Sequence, residues 1–213
     1  MKNILFIITM LLLTSCNSKS KRPLLGNTPY QQKLNATYKD ASKSPLKKKD
    51  LKGIMDIIKD AQELLANQNI DQWQNGYPNE SIISNDIDNN ESYLLKSHDQ
   101  SPIATAMFST KNEPTYSKIE GSWSDPDQTI YGVIHRMAVA KNHRGKGFAK
   151  FIFKKCEQML YKHKIPSMRI DTHEENLGMQ ELLKTMGYAY CGIIYLENSD
   201  KRLAYEKLLY KAH

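Results

Sequence analysis

The segment from Ile134 to Ala149, IHRMAVAKNHRGKGFA, restricts the fold of this chain more than any other part of its sequence. The residues from Ile130 to Ala140 are rich in Ile, Val, Tyr and Met, which favours a buried strand. A basic turn containing Gly145 and Gly147 follows, and a helix with apolar side chains at three- and four-residue spacings begins near Gly147. Such a turn exposes backbone N–H groups at the positive end of the helix dipole. The sequence therefore predicts an anion site here, best suited to phosphate.

Two glycines in this turn allow a ligand to approach the backbone closely, and Arg144 and Lys146 are expected to add positive charge at the rim. The alternative is an ordinary turn between a strand and a helix. The dinucleotide fingerprint GxGxxG and the nucleotide motif GxxxxGK[ST] are both missing from this segment, so neither of those phosphate-binding classes is indicated.

The turn resembles the coenzyme-A pyrophosphate loop of the GNAT N-acetyltransferase family, whose pattern is Gln/Arg-x-x-Gly-x-Gly/Ala. Here it reads Asn142-His-Arg-Gly145-Lys-Gly147, with Asn142 in place of the usual first residue. The resemblance implies acetyl-CoA as co-substrate and a set of donor-binding residues. The pyrophosphate is expected at His143, Arg144, Gly145, Lys146, Gly147, Phe148 and Ala149, and the pantetheine arm at Met137, Ala138, Val139 and Asn176. The alternative role of Asn176 is to cap the following helix.

Periodicity predicts ten elements in the order α-α-β-β-β-α-β-α-β-β over residues 50–213. Helices are expected at 50–68, 79–88, from 147 onward and at 176–186; strands are expected at 93–97, 103–109, 130–140, 167–172, 188–196 and 202–208. Asp50 is the predicted N-cap of the first helix, and Gly187 the residue that ends the last. In that last helix, Leu177, Leu182, Leu183 and Met186 are expected to face inward.

This order resembles the GNAT fold, a mixed and mostly antiparallel sheet flanked by helices, of the α/β (α+β) class. The segment from Asp171 to Asn176, followed by Met186-Gly187-Tyr188, also resembles the family pattern. The family's first strand would fall on residues 42–49, SKSPLKKK, which form a poor strand. We therefore expect the first strand to be missing or replaced.

Residues 1–16, MKNILFIITMLLLTSC, have the pattern of a secretory leader, with a basic Lys2 and an apolar run too short to span a bilayer. The ending Leu13-Thr14-Ser15-Cys16 resembles a bacterial lipobox, which implies acylation of Cys16 and membrane anchoring. An ordinary signal peptide or a buried first helix is the alternative. The predicted domains are this signal at 1–16, a basic flexible tether at 17–49 and the acetyltransferase domain at 50–213. If the leader is not processed, the protein is expected in the cytoplasm.

The positive charge of the chain belongs to the tether region and not to the predicted domain. The whole sequence carries a formal charge of +7. Residues 17–52 hold ten Lys and Arg against Asp40 and Asp50, a net charge of +8, and Lys2 adds one more. Subtracting both from the total leaves −2 for residues 53–213, so the basic composition does not indicate nucleic-acid binding.

Acetyl transfer to an amine benefits from a general base, and His135 is the predicted one. It lies two residues before Met137 on the same predicted strand, so the two side chains are expected on one face. Its position resembles that of a histidine base in the arylalkylamine branch of the family. A packed structural histidine is the alternative, and Glu120, Asp171 or a water are other candidate bases.

Aromatic residues in the loops before the central strand are expected to line an acceptor pocket, namely Trp73, Tyr77 and Tyr116, with Trp123. They favour a small amine as the acceptor.

The identity of the general acid stays open. Many relatives carry a tyrosine where this chain has Leu183, and Tyr188, Tyr190 or Tyr195 are the candidate substitutes. Cys156 and Cys191 are predicted core residues, without the spacing of a metal site, and no metal is expected.

Two functions of different class remain at this point. The first is an N-acetyltransferase in which the amine attacks acetyl-CoA directly in a ternary complex. The second is a non-catalytic, membrane-tethered module that binds acyl-CoA or a partner and retains the fold. The leader favours the second, because an exported protein meets no obvious acetyl-CoA pool, whereas the intact turn from Arg144 to Gly147 favours the first.

Overall fold

The computed structural model of the protein describes residues 46–210. The helices are α1 (Leu51–Asn67), α2 (Glu80–Asp88), α3 (Phe148–Lys162) and α4 (Leu177–Thr185). The strands are β1 (Ser92–Lys96), β2 (Pro102–Ser109), β3 (Glu120–Gly121), β4 (Gly132–Val139), β5 (Ser167–Thr172), β6 (Ala189–Tyr195) and β7 (Lys201–Leu208). The predicted order is confirmed, and a two-residue strand, β3, is added within the polar loop before β4.

The strands form one sheet in the order β1-β2-β4-β5-β7-β6-β3, in which only β4 and β5 are parallel. Helix α3 packs its apolar side on one face together with Leu183 of α4. Helices α1 and α2 cover part of the other face through Ile54, Ile58 and Ile83. The predicted mixed, mostly antiparallel sheet with helices on both faces is confirmed.

Helix α1 follows its apolar spacing, since Ile54, Met55, Ile57, Ile58 and Leu65 are all buried. Asp50 does not cap it, contrary to the prediction. A 3-10 turn over Lys48–Asp50 precedes the helix, so the backbone of Asp50 is already helical, whereas a capping side chain needs an extended backbone. Its carboxylate instead accepts the backbone N–H of Lys47 at 3.0 Å and the ammonium of Lys96 at 2.5 Å.

Helix α4 differs from the prediction at its first residue. Leu183 is fully buried, but Leu177 is 70% exposed. Six helical residues correspond to a rotation of about 240°, so these two side chains are about 120° apart around the helix axis and do not share a face. Gly187 does end the helix as predicted, with a φ of +81°.

Strands β4 and β5 pair over only two residues each, Gly132 with Met168 and Val133 with Arg169. Beyond Val133 the two strands diverge, while β4 stays paired to β2 as far as Val139. The edge of β4 that faces β5 is therefore open from Ile134 onward, and a cleft forms between the two strands.

A β-bulge in β4 changes the orientation of the side chains that follow it. Between the pairs Met107–His135 and Thr105–Ala138, β4 contains one residue more than β2. Arg136 lies in the bulge with a φ of +51°. The extra residue breaks the alternation of faces, so Met137 packs against the core beneath α3, whereas His135 lies against Tyr116 on the other side. The prediction that His135 and Met137 share a face is wrong.

A buried ion pair holds the loop that leads into β4. Arg169 of β5 donates to Glu206 of β7 at 2.8 Å, and both side chains are almost completely buried. The guanidinium lies between the rings of Trp123 and Tyr131, 4.3 and 4.0 Å from their centroids. The other oxygen of Glu206 accepts the backbone N–H groups of residues 124 and 125 at 2.7 and 3.3 Å. The pair thus fixes the course of the chain just before the cleft.

Cys156 and Cys191 are both buried in the core, as predicted. Burial raises the pKa of the Cys156 thiol, which keeps it protonated. Several predicted features lie outside the described residues. They are the leader, Cys16, most of the tether, and most of residues 42–49, where the family's first strand would fall. From residue 46 to residue 210, no strand precedes α1, and no helix has the length and apolar character needed to cross a membrane.

Candidate active site

The cleft between β4 and β5 has a volume of about 1450 Å³. Its walls are the open edge of β4, the turn between β4 and α3, the loop between α1 and α2, and the turn between β6 and β7. All residues predicted to bind the donor line it, namely Met137, Ala138, Val139, His143, Arg144, Gly145, Lys146, Gly147, Phe148, Ala149 and Asn176. Their contact with a donor remains a prediction.

The turn at one end of the cleft has the geometry of an anion cradle. Gly145 and Gly147 have φ angles of +73° and +83°, which glycine adopts without strain. No atom lies within 4 Å of the position of a Cβ on Gly145, so the space beside it is open. Inside α3 the N–H of Phe151 bonds to the carbonyl of Gly147 at 3.0 Å, and the amides before it point out of the helix end. This arrangement fits a pyrophosphate.

The side chain of Arg144, which is predicted to add positive charge at the rim, folds back onto the protein beside the turn. The guanidinium donates to the carbonyl of Val139 at 3.1 Å and to the carbonyl of Asp60 in α1 at 2.6 Å. Lys146 donates to the carbonyl of Asn142 at 2.8 Å, within the turn itself. Arg144 therefore joins α1 to the end of β4 and holds its charge beside the anion cradle.

Asn176 caps α4, which was one of its two predicted roles. Its side-chain oxygen accepts the N–H of Met179 at 3.1 Å. Its amide group donates to the side-chain oxygen of Gln72 at 2.8 Å, so the loop after α1 is linked to the start of α4. Gln72 was not predicted as a site residue, because no local pattern relates two residues so far apart in the sequence.

Two of the four aromatic residues predicted to line the acceptor pocket, Trp73 and Tyr77, line the cleft, whereas Tyr116 and Trp123 do not. Tyr116 is only 2% exposed and packs against Trp123 and Tyr131 behind the wall. The prediction that Tyr116 lines the acceptor pocket is therefore corrected. Its apolar ring completes a core in the loop before β4, and only its hydroxyl reaches toward the cleft residues.

His135 lies between two carboxylates on the cleft wall. Its Nε2 is 3.0 Å from Oε2 of Glu113, and its Nδ1 is 3.7 Å from Oδ1 of Asp171. The hydroxyl of Tyr116 donates to that same oxygen of Asp171 at 2.8 Å. Burial and the charge of Asp171 raise the pKa of Tyr116 well above its ordinary value, so this hydroxyl keeps its proton.

Glu113 was missed by the sequence reasoning. Burial acts to raise the pKa of its carboxyl, but the hydrogen bond and charge of His135 and two hydrogen bonds from Thr115 outweigh burial and lower the pKa to about 2. Glu113 is therefore ionised at neutral pH. The sequence Glu113-Pro114-Thr115 indicates a helical turn, which the structure contains, but nothing local indicates contact with a histidine on another element.

Arg136, in the bulge, forms a bidentate ion pair with Asp86 of α2. Its Nε and one terminal nitrogen donate to the two carboxylate oxygens at 2.8 and 2.7 Å. It also donates to the hydroxyl of Tyr77 at 2.7 Å. Because the guanidinium of Arg136 is paired with Asp86, it does not neutralise the negative charges of Glu113 and Asp171. Arg136 thus positions Tyr77 at the cleft.

The other candidate acids and bases are placed less favourably. Glu120 lies on β3, paired with β6, and does not line the cleft. Tyr188 is buried and donates to Glu157 at 3.0 Å, and burial raises its pKa. Tyr190 and Tyr195 are about half exposed and lie outside the cleft lining. Within the described part of the chain, no group of three or more His, Cys, Asp or Glu is arranged to hold a metal ion.

Comparison with known proteins agrees with this architecture. The model of the Acetyltransferase (GNAT) family matches residues 58–188. A GNAT-family acetyltransferase structure from Streptococcus agalactiae 2603 is 33% identical, with a TM-score of 0.70 over 79% of this chain and 95% of that one. One from Listeria monocytogenes 4b F2365 is 17% identical, with a TM-score of 0.61 over 78% and 92%.

A third structure, the NatC complex bound to Gag peptide and CoA, is 16% identical, with a TM-score of 0.56 over 78% of this chain and 97% of that one. At this identity the likeness concerns the fold alone. No curated protein sequence matched the chain. The family match covers more than half of the sequence, and the chain belongs to the GNAT acetyltransferase family.

Proposed function

We propose that this protein transfers the acetyl group of acetyl-CoA to a primary amine by direct attack in a ternary complex. The observation that supports this best is the placement of an anion cradle and a carboxylate-flanked histidine on one cleft. The amine nitrogen bonds to the acetyl carbon as the carbon–sulfur bond breaks. Before the attack, the ammonium form of the amine gives one proton to His135. After the attack, the nitrogen gives a second proton, through water, to the departing coenzyme-A thiolate.

The donor half of the cleft supports this proposal through backbone groups. The turn from His143 to Ala149 would hold the pyrophosphate by its amides. The open edge of β4 at Met137, Ala138 and Val139 would hydrogen-bond the pantetheine arm. One of these amides would also donate to the thioester oxygen as negative charge develops on it.

The acceptor half supports a small amine, because Trp73 and Tyr77 face the same space as His135. The bulge turns His135 away from the face that Met137 occupies, toward Glu113 and Asp171. A base there reaches an acceptor from the side of the sheet that α3 does not cover.

We further propose that the chain is a lipoprotein anchored through Cys16, with residues 17–49 as the tether. The support is the leader and its lipobox-like ending alone. A basic tether would also be attracted to anionic headgroups. A cytoplasmic location follows if the leader is not processed.

The competing proposal is a non-catalytic module that binds acyl-CoA or a partner and retains the fold. Two measurements on the purified full chain separate the two. Acetyl-CoA should raise the melting temperature in either case if the cleft binds the donor, because it binds only the folded state. Release of the coenzyme-A thiol, followed against a panel of primary amines, occurs only for the enzyme. A melting temperature unchanged by acetyl-CoA would reject the enzyme and the acyl-CoA-binding module and would favour a module that binds a partner. Binding without thiol release from any amine would favour the acyl-CoA-binding module.

A further inference from the structure

We propose that Asp171 binds the ammonium group of the acceptor and that Glu113 positions His135 to remove its proton, so that the acceptor is a cation. Building on the proposed acetyl transfer, this inference adds the charge of the acceptor and roles for two carboxylates. Neither role follows from the turn that binds the donor.

Glu113 is held so that one of its oxygens faces His135. The hydroxyl and the backbone N–H of Thr115 donate to Oε1 at 2.9 and 3.4 Å, while Oε2 lies 3.0 Å from Nε2 of His135. An ionised carboxylate can only accept a hydrogen bond, so Nε2 carries the hydrogen. In the neutral ring the lone pair therefore lies on Nδ1, the atom that is directed toward Asp171.

The distance between Nδ1 of His135 and Oδ1 of Asp171 is 3.7 Å, too long for a direct hydrogen bond. Both atoms accept, and an ammonium nitrogen about 2.9 Å from each would bridge them. Asp171 is held in place by the hydroxyl of Tyr116 at 2.8 Å. Asp171 and His135 thus form a binding site for one ammonium group. The carboxylate of Asp171 pairs with its positive charge, and Nδ1 of His135 accepts one of its protons.

The charges around His135 favour a cation. Glu113 faces it from the loop before β3, Asp171 from β5, and the neutral Tyr116 hydroxyl from the 3-10 turn Pro114–Ser117. Asp86 and Arg136 lie nearby but are paired with each other. Two carboxylates therefore surround one imidazole, and the excess negative charge attracts an ammonium group. After proton transfer, the same carboxylates stabilise the imidazolium.

A spectroscopic test needs no knowledge of the natural acceptor. The full chain is labelled with ¹⁵N-histidine, and the His135 signals are assigned by their loss in His135→Asn. At the alkaline end of a pH titration we expect the hydrogen on Nε2 and the lone pair on Nδ1. Addition of 2-phenylethylammonium chloride should shift Nδ1, whereas the uncharged isostere 2-phenylethanol should not. The opposite tautomer, or no shift with the ammonium up to its solubility limit, would overturn the proposal.

Variants then separate the two roles in steady-state kinetics with the best amine from the screen. Asp171→Asn should raise KM for the amine more than tenfold, with a smaller change in kcat. Glu113→Gln should lower kcat more than tenfold with little change in KM, and should move the acidic limb of the pH profile to lower pH. Glu63→Gln and Asp127→Asn are the matched controls, since both residues are exposed and lie outside the cleft lining.

The failure of this inference and the failure of acetyl transfer give different results. If coenzyme-A binding and thiol release persist while Asp171→Asn and Glu113→Gln behave like their controls, the roles of these carboxylates are rejected and the enzyme remains. If an uncharged acceptor reacts as fast as its ammonium counterpart, the cationic acceptor is rejected. Absence of thiol release with every amine would reject the proposed function itself.

Discussion

Replacing Gly145 with aspartate tests whether the turn before α3 binds the donor. The residue has a φ of +73° in the cleft wall, and nothing lies within 4 Å of its would-be Cβ. The new side chain therefore meets no protein atom. The free energy of unfolding should fall only by the cost of a left-handed backbone at a residue with a Cβ, about 1 kcal/mol. Its carboxylate would project into the space where we place the pyrophosphate.

The expected loss of affinity follows from charge repulsion. Two like charges about 5 Å apart in water-like surroundings repel by about 0.8 kcal/mol, and a pyrophosphate carries about two. The sum exceeds about 1.4 kcal/mol, which corresponds to a tenfold change in the dissociation constant. Because the helix end is partly shielded from water, this value is a lower bound. We expect coenzyme-A affinity to fall more than tenfold in Gly145→Asp.

The assay is titration calorimetry of the full chain with coenzyme A, and the chain offers a matched control. Gly187 also has a left-handed backbone, with a φ of +81°, and open space around its Cβ position, but it lies outside the cleft lining. Gly187→Asp should match the loss of stability and keep the affinity. Gly145→Ala should lose less affinity than Gly145→Asp, since it adds a Cβ beside the ligand but no charge. Equal affinities for Gly145→Asp and the parent, with both folded, would remove this turn from the site.

Three further predictions concern other parts of the chain. Cys16→Ser should release the protein from membranes or block its processing; if it fractionates and migrates like the parent, the lipoprotein proposal is wrong. His135→Ala should lower kcat/KM by about 10²–10⁴-fold near neutral pH with little change in coenzyme-A affinity; a lower melting temperature with normal turnover would mark a structural histidine instead. Arg169→Met should reduce the free energy of unfolding in urea by about 3–5 kcal/mol, because Glu206 is left buried without its partner. Adding Glu206→Gln should recover part of that loss, and additive effects would refute the coupling.

Local patterns in the sequence determine the elements of this fold and the turn between β4 and α3. The spacing of apolar residues places α1 and α3, and alternation places the strands, because backbone geometry repeats over a few residues. Gly145 and Gly147 indicate an exposed helix end for the same reason. These patterns involve only residues that are close together in the chain, so they can be read from a single sequence.

Only the tertiary structure decided the part of the site that contains the open cleft, His135 and its two carboxylate neighbours. The divergence of β4 from β5 depends on how other segments pack around the sheet, and no residue of either strand indicates it. The bulge at Arg136 depends on a register with β2, and it places His135 and Met137 on opposite faces, although the sequence predicts one shared face. Glu113 and Asp171 approach His135 from segments 22 and 36 positions away in the chain. Contacts of this kind arise from the burial of separate segments around a shared core, and their partners are not encoded in any local period.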